Sequence, residues 1–396
     1  MRGNNHWEEK TVRKFLIVVD ALSLNVSSLS NIVRVLKSRE TVDVRLLILK
    51  RRNNIVYKPC PTLMDIKLEE AVIQNSTIKI AEYLNYFCKL KIDRNMKKAS
   101  DLYEDSTDIV LIGDSCWELQ TIDHKFSDLL ERVNRVFTVL LELPTKYLRL
   151  SLARSIIYGK EEMRAIRLSD KVIVPNKERK ELIMKLFPGK QVGVIHNYPQ
   201  IDQLTIQRED DEPTGENRYF CHTGLVKSYR LPKTFLDAFK EYYCKHKIKL
   251  VVAGKIYGRI KKHIEDGTKQ SFLDYLGSVD RQTSISIQRK AFAGLAIYLP
   301  KDMNNYLCAP QKIYEYINNE VPVFCSSNPP LIDLIEKNNL GVCVEKFDRE
   351  SIIKGLERFT AEHNEFRKSI LDWKSKTLNP ESIETEIIES FDLIHN

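Results

Sequence analysis

Lys312 and Glu315 stand three residues apart in APQKIYEYINNEVPVFCSSNPP, positions 309–330. The stretch reads as a loop, one short helix, a turn, a buried strand and a second Pro-rich loop. On a helix that spacing puts the ammonium and the carboxylate on one face. Free backbone N–H groups at a helix N-terminus suit an anion such as phosphate. A carboxylate just inside the helix can accept two hydroxyl hydrogen bonds from a ribose. Phosphate and ribose together describe a nucleotide. The residues alone equally fit an ordinary amphipathic helix with a solvated Lys–Glu pair. Two other carboxylates are candidates for acid/base work. Glu142 follows the apolar run 136–141 and precedes Leu143–Pro144, between a buried strand and a helix-starting proline. That is an odd place for a purely structural carboxylate, so Glu142 is the first candidate and Asp114, after DIVLIG, the second. The alternative for either is a bond to helix N-terminal amides.

The elements that must position these groups alternate short β-branched runs with helical patterns, as in a parallel α/β sheet. Strands are expected at 15–20, 42–50, 108–112, 136–141, 172–174 and 192–195. A helix is expected at 26–37, capped by Asn25 or Ser27, and a longer one at 73–91. Periodicity stops over 200–217, QIDQLTIQREDDEPTGEN, an acidic stretch that reads as a linker or a long surface loop. A second α/β half has strands at 219–222, 249–253, 272–276, 295–298, 322–325 and 342–345. Asp348 is placed to cap the next helix, and 382–394 reads as a final amphipathic helix. No G-x-G-x-x-G follows the first strand, which argues against an NAD enzyme.

With 396 residues, 43% hydrophobic and 29% charged, the chain can form two domains with a proper core each. It has no run of 18 apolar residues, and its first residues lack a signal-peptide core, so a cytoplasmic protein is expected. The eight cysteines are scattered without a C-x-x-C pair and read as free, buried thiols. The net charge of +8 admits nucleic acid as a partner, but no nucleic-acid-binding pattern accompanies it. Anionic substrates such as nucleoside diphosphates and lipid pyrophosphates, or an anionic membrane surface, explain the charge at least as well. The basic runs 89–98 and 146–167 could lie on such a surface; the alternative is a solvated helix face.

The stretch 309–330 resembles the donor-binding motif of GT-B glycosyltransferases, family-4-like, as a divergent subset. Its pattern is P-x-K-x-Y/F-E-Y, a small-residue turn and P-V; here stand Pro310, Lys312, Tyr314, Glu315, Tyr316, Pro322 and Val323. In that family the glutamate holds the ribose of a nucleotide sugar. A second glutamate eight residues earlier touches the sugar, and Leu307 takes its place here. Residues 169–176, SDKVIVPN, and 194–199, VIHNYP, resemble the family's segments at the end of the first domain, with Asn197 a structural turn residue. Residues 222–230, HTGLVKSYR, resemble its glycine loop: Gly224 permits close backbone approach and Arg230 pairs with the diphosphate. Leu225 replaces a frequent arginine. Lys255, after VVAG, could reach the phosphates, and YLGSV at 275–279, with Gly277 and Val279, resembles the segment whose backbone meets the nucleobase edge.

The resemblance implies an α/β fold of two Rossmann-like domains facing across a cleft: 1–199 on the acceptor side, a linker at 200–217, and 218–375 holding the nucleotide sugar. A C-terminal helix within 376–396 would pack back on the first domain. It also implies transfer of a sugar from a nucleoside-diphosphate sugar to a hydroxyl of a glycan or lipid-linked acceptor, with Glu142 facing the cleft. The family context is bacterial surface glycan assembly (capsule, exopolysaccharide or O-antigen), here on the inner face of the membrane. No cofactor is expected. No D-x-D pair is present to hold Mg²⁺ or Mn²⁺, so no metal is expected either, and cationic side chains and helix N-termini would neutralise the phosphates. Two alternatives stand: a non-catalytic GT-B binding subunit, supported by Leu225 and Leu307, and a GT-B-like sugar-nucleotide epimerase, which needs carboxylates near the sugar.

Overall fold

The structure, a computed structural model, describes residues 12–20, 26–51, 67–73, 107–112, 133–143, 163, 166–204 and 218–393. Asp114, Asn25, the basic run 89–98 and nearly all of 146–167 lie outside the described residues. The chain forms two compact units. The first comprises Met1–Pro175, Lys180–Ile195 and Glu386–Asn396, the second Asn176–Arg179 and His196–Thr385.

Unit one is built on a parallel sheet of β1 (Arg13–Asp20), β2 (Val42–Arg51), β3 (Lys67–Ile73), β4 (Thr107–Ile112), β5 (Arg135–Val139), β6 (Lys171–Val174) and β7 (Gln191–Val194). Their spatial order is β3-β2-β1-β4-β5-β6-β7. The central strand β1 pairs with β2 from Arg13↔Val42 to Asp20↔Leu49 and with β4 from Lys14↔Thr107 to Val19↔Ile112. Its FLIVV run is almost wholly buried, as expected of a strand covered on both faces. Helix α1 (Ser27–Lys37) turns Leu29, Ile32, Val33 and Leu36 inward. Its N-cap is Val26, with no side-chain cap bond; Ser27 is the first helical residue rather than the cap.

The fully buried Asp108 takes Arg13 Nε at 2.6 Å and Asn134 Nδ2 at 2.8 Å, which compensates the cost of burying its charge. The end of the chain belongs to this unit. Phe391 packs on Phe137 and Phe15 with ring centroids 5.1 and 6.1 Å away, and Asp392 pairs with Arg135 at 2.8 Å and Lys171 at 2.7 Å. Truncating a fully buried phenylalanine such as Phe391 typically costs about 3–5 kcal/mol.

Unit two repeats the plan with β8 (Tyr219–Thr223), β9 (Lys249–Ala253), β10 (Leu273–Tyr275), β11 (Ala293–Ala296), β12 (Val323–Ser326) and β13 (Gly341–Val344). The order is β10-β9-β8-β11-β12-β13, all pairs parallel. This is the doubly wound arrangement, whose order reverses between β8 and β11; ligands bind beyond the carboxyl ends of the strands at such a point. Its helices include α2 (Lys177–Leu186), whose start is in this unit, α3 (Ile201–Leu204), α4 (Lys233–His246), α5 (Ile260–Lys269), α6 (Arg281–Arg289), α7 (Met303–Tyr306), α8 (Gln311–Asn318), α9 (Arg349–Thr377) and the first part of α10 (Pro380–Ser390), whose last residues belong to unit one. An aromatic core joins sheet and helices: Phe220 lies within 6.2 Å, centroid to centroid, of Phe239, Tyr242, Phe292, Phe324 and Phe359. Asp348 caps α9 by accepting a hydrogen bond from Ser351 N.

Two expectations from the sequence need correcting. Lys67–Ile73 is an edge strand where only a helix starting at 73 was expected. The stretch 200–217 is not wholly linker: residues 201–204 form a helical turn with Ile201 and Leu204 buried, and 205–217 lie outside the described residues.

Candidate nucleotide site on the second unit

Three strand-end turns meet at the carboxyl edge of this sheet, because their glycines let the backbones touch. Gly224 N donates to Ala253 O at 2.9 Å, and Gly254 N donates to Gly277 O at 2.7 Å. Gly254 has φ +149, and a side chain there would strike the Gly224 carbonyl. Gly224 (φ +102) and Gly277 (φ +72) hold left-handed conformations, with open space where a side chain would project. Val279, just beyond Gly277, is half-buried. The Tyr275 hydroxyl donates to Gly254 O at 3.0 Å, tying the same turns together.

Arg230, Lys312 and His222 form the polar centre. The Arg230 guanidinium lies 3.4 Å from the centroid of the Tyr298 ring, a close cation–π contact. Its Nη1 is buried without a hydrogen-bond partner, a costly condition for a charged donor. Tyr298 is itself fixed: its N–H donates to Ser326 Oγ at 2.8 Å, and its carbonyl accepts from Asn328 Nδ2 at 3.0 Å. Lys312, in the first turn of α8, keeps part of its surface accessible. Burial and then the Arg230 charge lower its pKa from 10.5 to about 7. His222 is fully buried. Burial, followed by the Lys312 charge, holds its pKa well below the usual value, so the ring is neutral at pH 7. With Nε2 donating to Leu225 O at 3.3 Å, its Nδ1 is an acceptor, buried and unpartnered. A guanidinium, a lysine about half-charged at neutral pH and a neutral imidazole thus converge where the strand order reverses, an arrangement that attracts an anion.

Glu315, one turn into α8, is 12% exposed at its side chain. Its Oε1 accepts from Gln311 Nε2 at 2.8 Å and Arg281 Nη2 at 3.1 Å, and its Oε2 accepts from Gln288 Nε2 at 3.1 Å. Gln288 also donates to Thr223 Oγ1 at 3.0 Å, which links the carboxylate to the end of β8. A carboxylate offers about four acceptor sites, so three donors leave room for one hydroxyl, and the half-exposed Arg281 can yield a second. Behind it, Tyr316 lies flat on Gly294 of β11, where any larger residue would collide with the ring. That close approach fixes the height of α8 above the sheet.

The structure therefore brings Gly224, Gly277, Arg230, Lys312 and Glu315 to one sheet edge. Lys255 is exposed at the same edge, but its ammonium lies over the Tyr257 ring at 5.4 Å. Glu142, exposed beyond β5, is on unit one. Leu225 is 53% exposed and Leu307 is buried at 8%; the Leu307 carbonyl accepts from Arg179 Nε at 2.8 Å. Asn197 Nδ2 donates to Ala309 O at 2.7 Å, bracing the loop before α8. His222, Gln288, Arg281 and Tyr298 were not singled out from the sequence. Gln288 and Arg281 share α6, His222 is on β8 and Tyr298 follows β11, and only the topology assembles them.

No protein-family model matches this sequence, and no curated protein matches it. Solved structures do match over nearly the whole length. The E. coli trehalose-6-phosphate protein bound with UDP-2-fluoro glucose is 13% identical, with 96% of this chain and 99% of that one covered and a TM-score of 0.67. The lipopolysaccharide outer core galactosyltransferase WaaB is 15% identical, with 96% and 99% covered and a TM-score of 0.62.

The chain has the GT-B fold.

A UDP-N-acetylglucosamine 2-epimerase is also similar, at 13% identity, 98% coverage of both chains and a TM-score of 0.59. GT-B proteins therefore include at least one that is not named a transferase, and the fold alone does not choose the reaction. Among the described residues, no cluster of three His, Cys, Asp or Glu could hold a metal, and no helix is long and apolar enough to cross a membrane.

Proposed function

We propose that this chain is a glycosyltransferase that binds a nucleoside-diphosphate sugar on unit two and transfers its sugar to a hydroxyl of a glycan or lipid-linked acceptor. The observation that carries this reading is the buried, unpartnered Nη1 of Arg230 beside Lys312 at the switch point of a doubly wound sheet. A diphosphate would supply the missing acceptors. Glu315, one turn further into α8, is placed for the ribose, and the open backbone at Gly277 and Val279 for the base. As the bond to the sugar breaks, the leaving diphosphate gains charge, and fixed cations stabilise that charge more than they stabilise the ground state. The reaction would proceed without a metal, with Arg230 and Lys312 as the phosphate counter-charges and Lys255 a third within the family pattern. Glu142 and Asp114 remain the candidates for the acid/base group on the acceptor side. A role in surface glycan assembly, at the inner face of a membrane, fits the similarity to a lipopolysaccharide galactosyltransferase and the basic composition.

The non-catalytic reading rests on Leu307, an apolar buried residue where the family carries a sugar-touching glutamate. A donor-hydrolysis assay separates the two. Incubated without acceptor, the transferase should slowly release free nucleoside diphosphate from its donor sugar, and Arg230→Ala should lose that release. Tight donor binding with no release on any acceptor would favour the binding subunit; a product with inverted sugar stereochemistry and an intact nucleotide would mark an epimerase.

A further inference from the structure

We propose that unit two carries a second anion site, separate from the nucleotide site and at the opposite edge of the same sheet. It is a cavity that takes a small tetrahedral oxyanion of the phosphate class. The cavity measures about 150 Å³, room for roughly five waters at ~30 Å³ each, or for one phosphate group and its hydration.

Its position sets it apart. Arg218 precedes β8, Phe292 precedes β11 and Glu320 precedes β12, while His363, Asn364 and Arg367 line it from the middle of α9. These are the amino ends of the strands whose carboxyl ends carry Thr223, Tyr298 and the nucleotide site. Its charge is positive. Among the described residues that line it, Glu320 is the only carboxylate, and that group is already engaged by Lys374 Nζ at 3.4 Å and Arg367 Nη2 at 4.0 Å. The lining side chains thus carry two guanidiniums, Arg218 and Arg367, against this one carboxylate.

The Arg218 guanidinium has the Phe292 ring at 5.4 Å and no ion pair among the described residues. Phe292 is also stacked on His363, with centroids 3.9 Å apart and planes at 11°. His363 Nε2 donates to Phe292 O at 2.8 Å, so the aromatic wall beneath Arg218 is held in place. Two guanidinium forks and the Asn364 amide suit the multiple acceptors of a tetrahedral oxyanion. The same set repels a cation and offers little to an apolar ligand.

The cavity also touches the machinery of the first site through one helix. Glu320 follows the C-terminal end of α8, whose first turns carry Lys312 and Glu315. It adopts φ +59, a left-handed conformation that non-glycine residues rarely take. Its ion pairs with Lys374 and Arg367 hold it there, so an anion that draws on Arg367 acts on the anchor of α8.

Isothermal titration of inorganic phosphate, and separately of a phosphate monoester, into the full chain tests this. The donor site is disabled by Arg230→Ala with Lys312→Ala, and Arg218→Ala is made in both backgrounds. Arg218 is exposed, so its removal should leave the fold intact, which circular dichroism verifies. Phosphate or monoester binding should survive loss of the donor site and weaken about tenfold or more with Arg218→Ala, the value of one charge-assisted hydrogen bond. Nucleoside diphosphate binding to the Arg218→Ala protein should stay within about twofold of wild type. Phosphate affinity indifferent to Arg218, lost with the donor site, or absent altogether would overturn the proposal and leave a water-filled cavity.

Discussion

Binding of the nucleoside-diphosphate sugar should take up a proton, because Lys312 is about half-charged at neutral pH before the anion arrives. Burial and the neighbouring Arg230 lower its pKa from 10.5 to about 7. A diphosphate beside it favours the ammonium, so its pKa in the complex is higher than in the free protein. The affinity carried by that charge is therefore fully present below pH 7 and is lost as pH rises from 7 towards the pKa of the complex. One unit above its pKa, roughly one free molecule in ten has Lys312 charged, so the Kd should rise about tenfold between pH 6 and pH 8. His222 does not share in this, because it stays neutral throughout that window. The sugar-linked diphosphate is the right ligand, since its phosphates hold no proton in this range. Titration calorimetry at pH 6 and 8, each in two buffers of different ionisation enthalpy, should read almost no proton uptake at pH 6 and nearly one at pH 8. Lys312→Met should bind more weakly and lose the pH dependence. A wild-type Kd flat from pH 6 to 8, with no proton uptake, would refute the placement of Lys312 against the phosphates.

Three further outcomes are expected. Glu315→Gln should weaken nucleotide binding about tenfold or more, since a hydrogen bond to a charged group contributes about 1.5–3 kcal/mol, while a nucleotide lacking both ribose hydroxyls should be nearly indifferent to it; equal binding of the normal nucleotide by variant and wild type would make Glu315 a structural partner of Gln288 and Arg281 only. Gly294→Ala forces a methyl into the buried Tyr316 ring, and such overpacking costs about 1–3 kcal/mol; a thermal melt should show a drop of several degrees, and an unchanged melting temperature would contradict the packing described for α8. Transfer activity should survive EDTA, and loss on chelation restored by Mn²⁺ or Mg²⁺ would refute the metal-free reading.

Much of the architecture was legible because buried parallel strands are written as aliphatic runs. FLIVVD, DIVLI and KLVVA name their strands without help from neighbours. The edge strand KLEEAVI was not, since its two glutamates break the apolar pattern and a sheet edge does not require one. The cap of α1 was misplaced because Ser27 and Asn25 have the right chemistry, yet the helix begins after Val26 without a side-chain bond. For the candidate site, the spacing of Lys312 and Glu315 placed both on one helix face but fitted a solvated pair equally well, and the nucleotide reading of these two, as of Gly224 and Arg230, came from a resemblance. Gln288 could not, because one glutamine near the end of the polar helix RQTSISIQR carries no signal until the fold sets it between Thr223 and Glu315. The same holds for the Tyr298 ring under Arg230, whose height depends on Ser326 and Asn328 from another strand end.

The most direct test of the central claim is a pair of titrations, nucleoside diphosphate and bare nucleoside, into wild type and Arg230→Ala. If the buried guanidinium meets the phosphates, the variant should lose about ten- to a hundredfold in affinity for the diphosphate, the range of a charged hydrogen bond, and keep its affinity for the nucleoside. An equal loss for both ligands, or no loss for either, would show that Arg230 holds no phosphate and that the nucleotide site lies elsewhere.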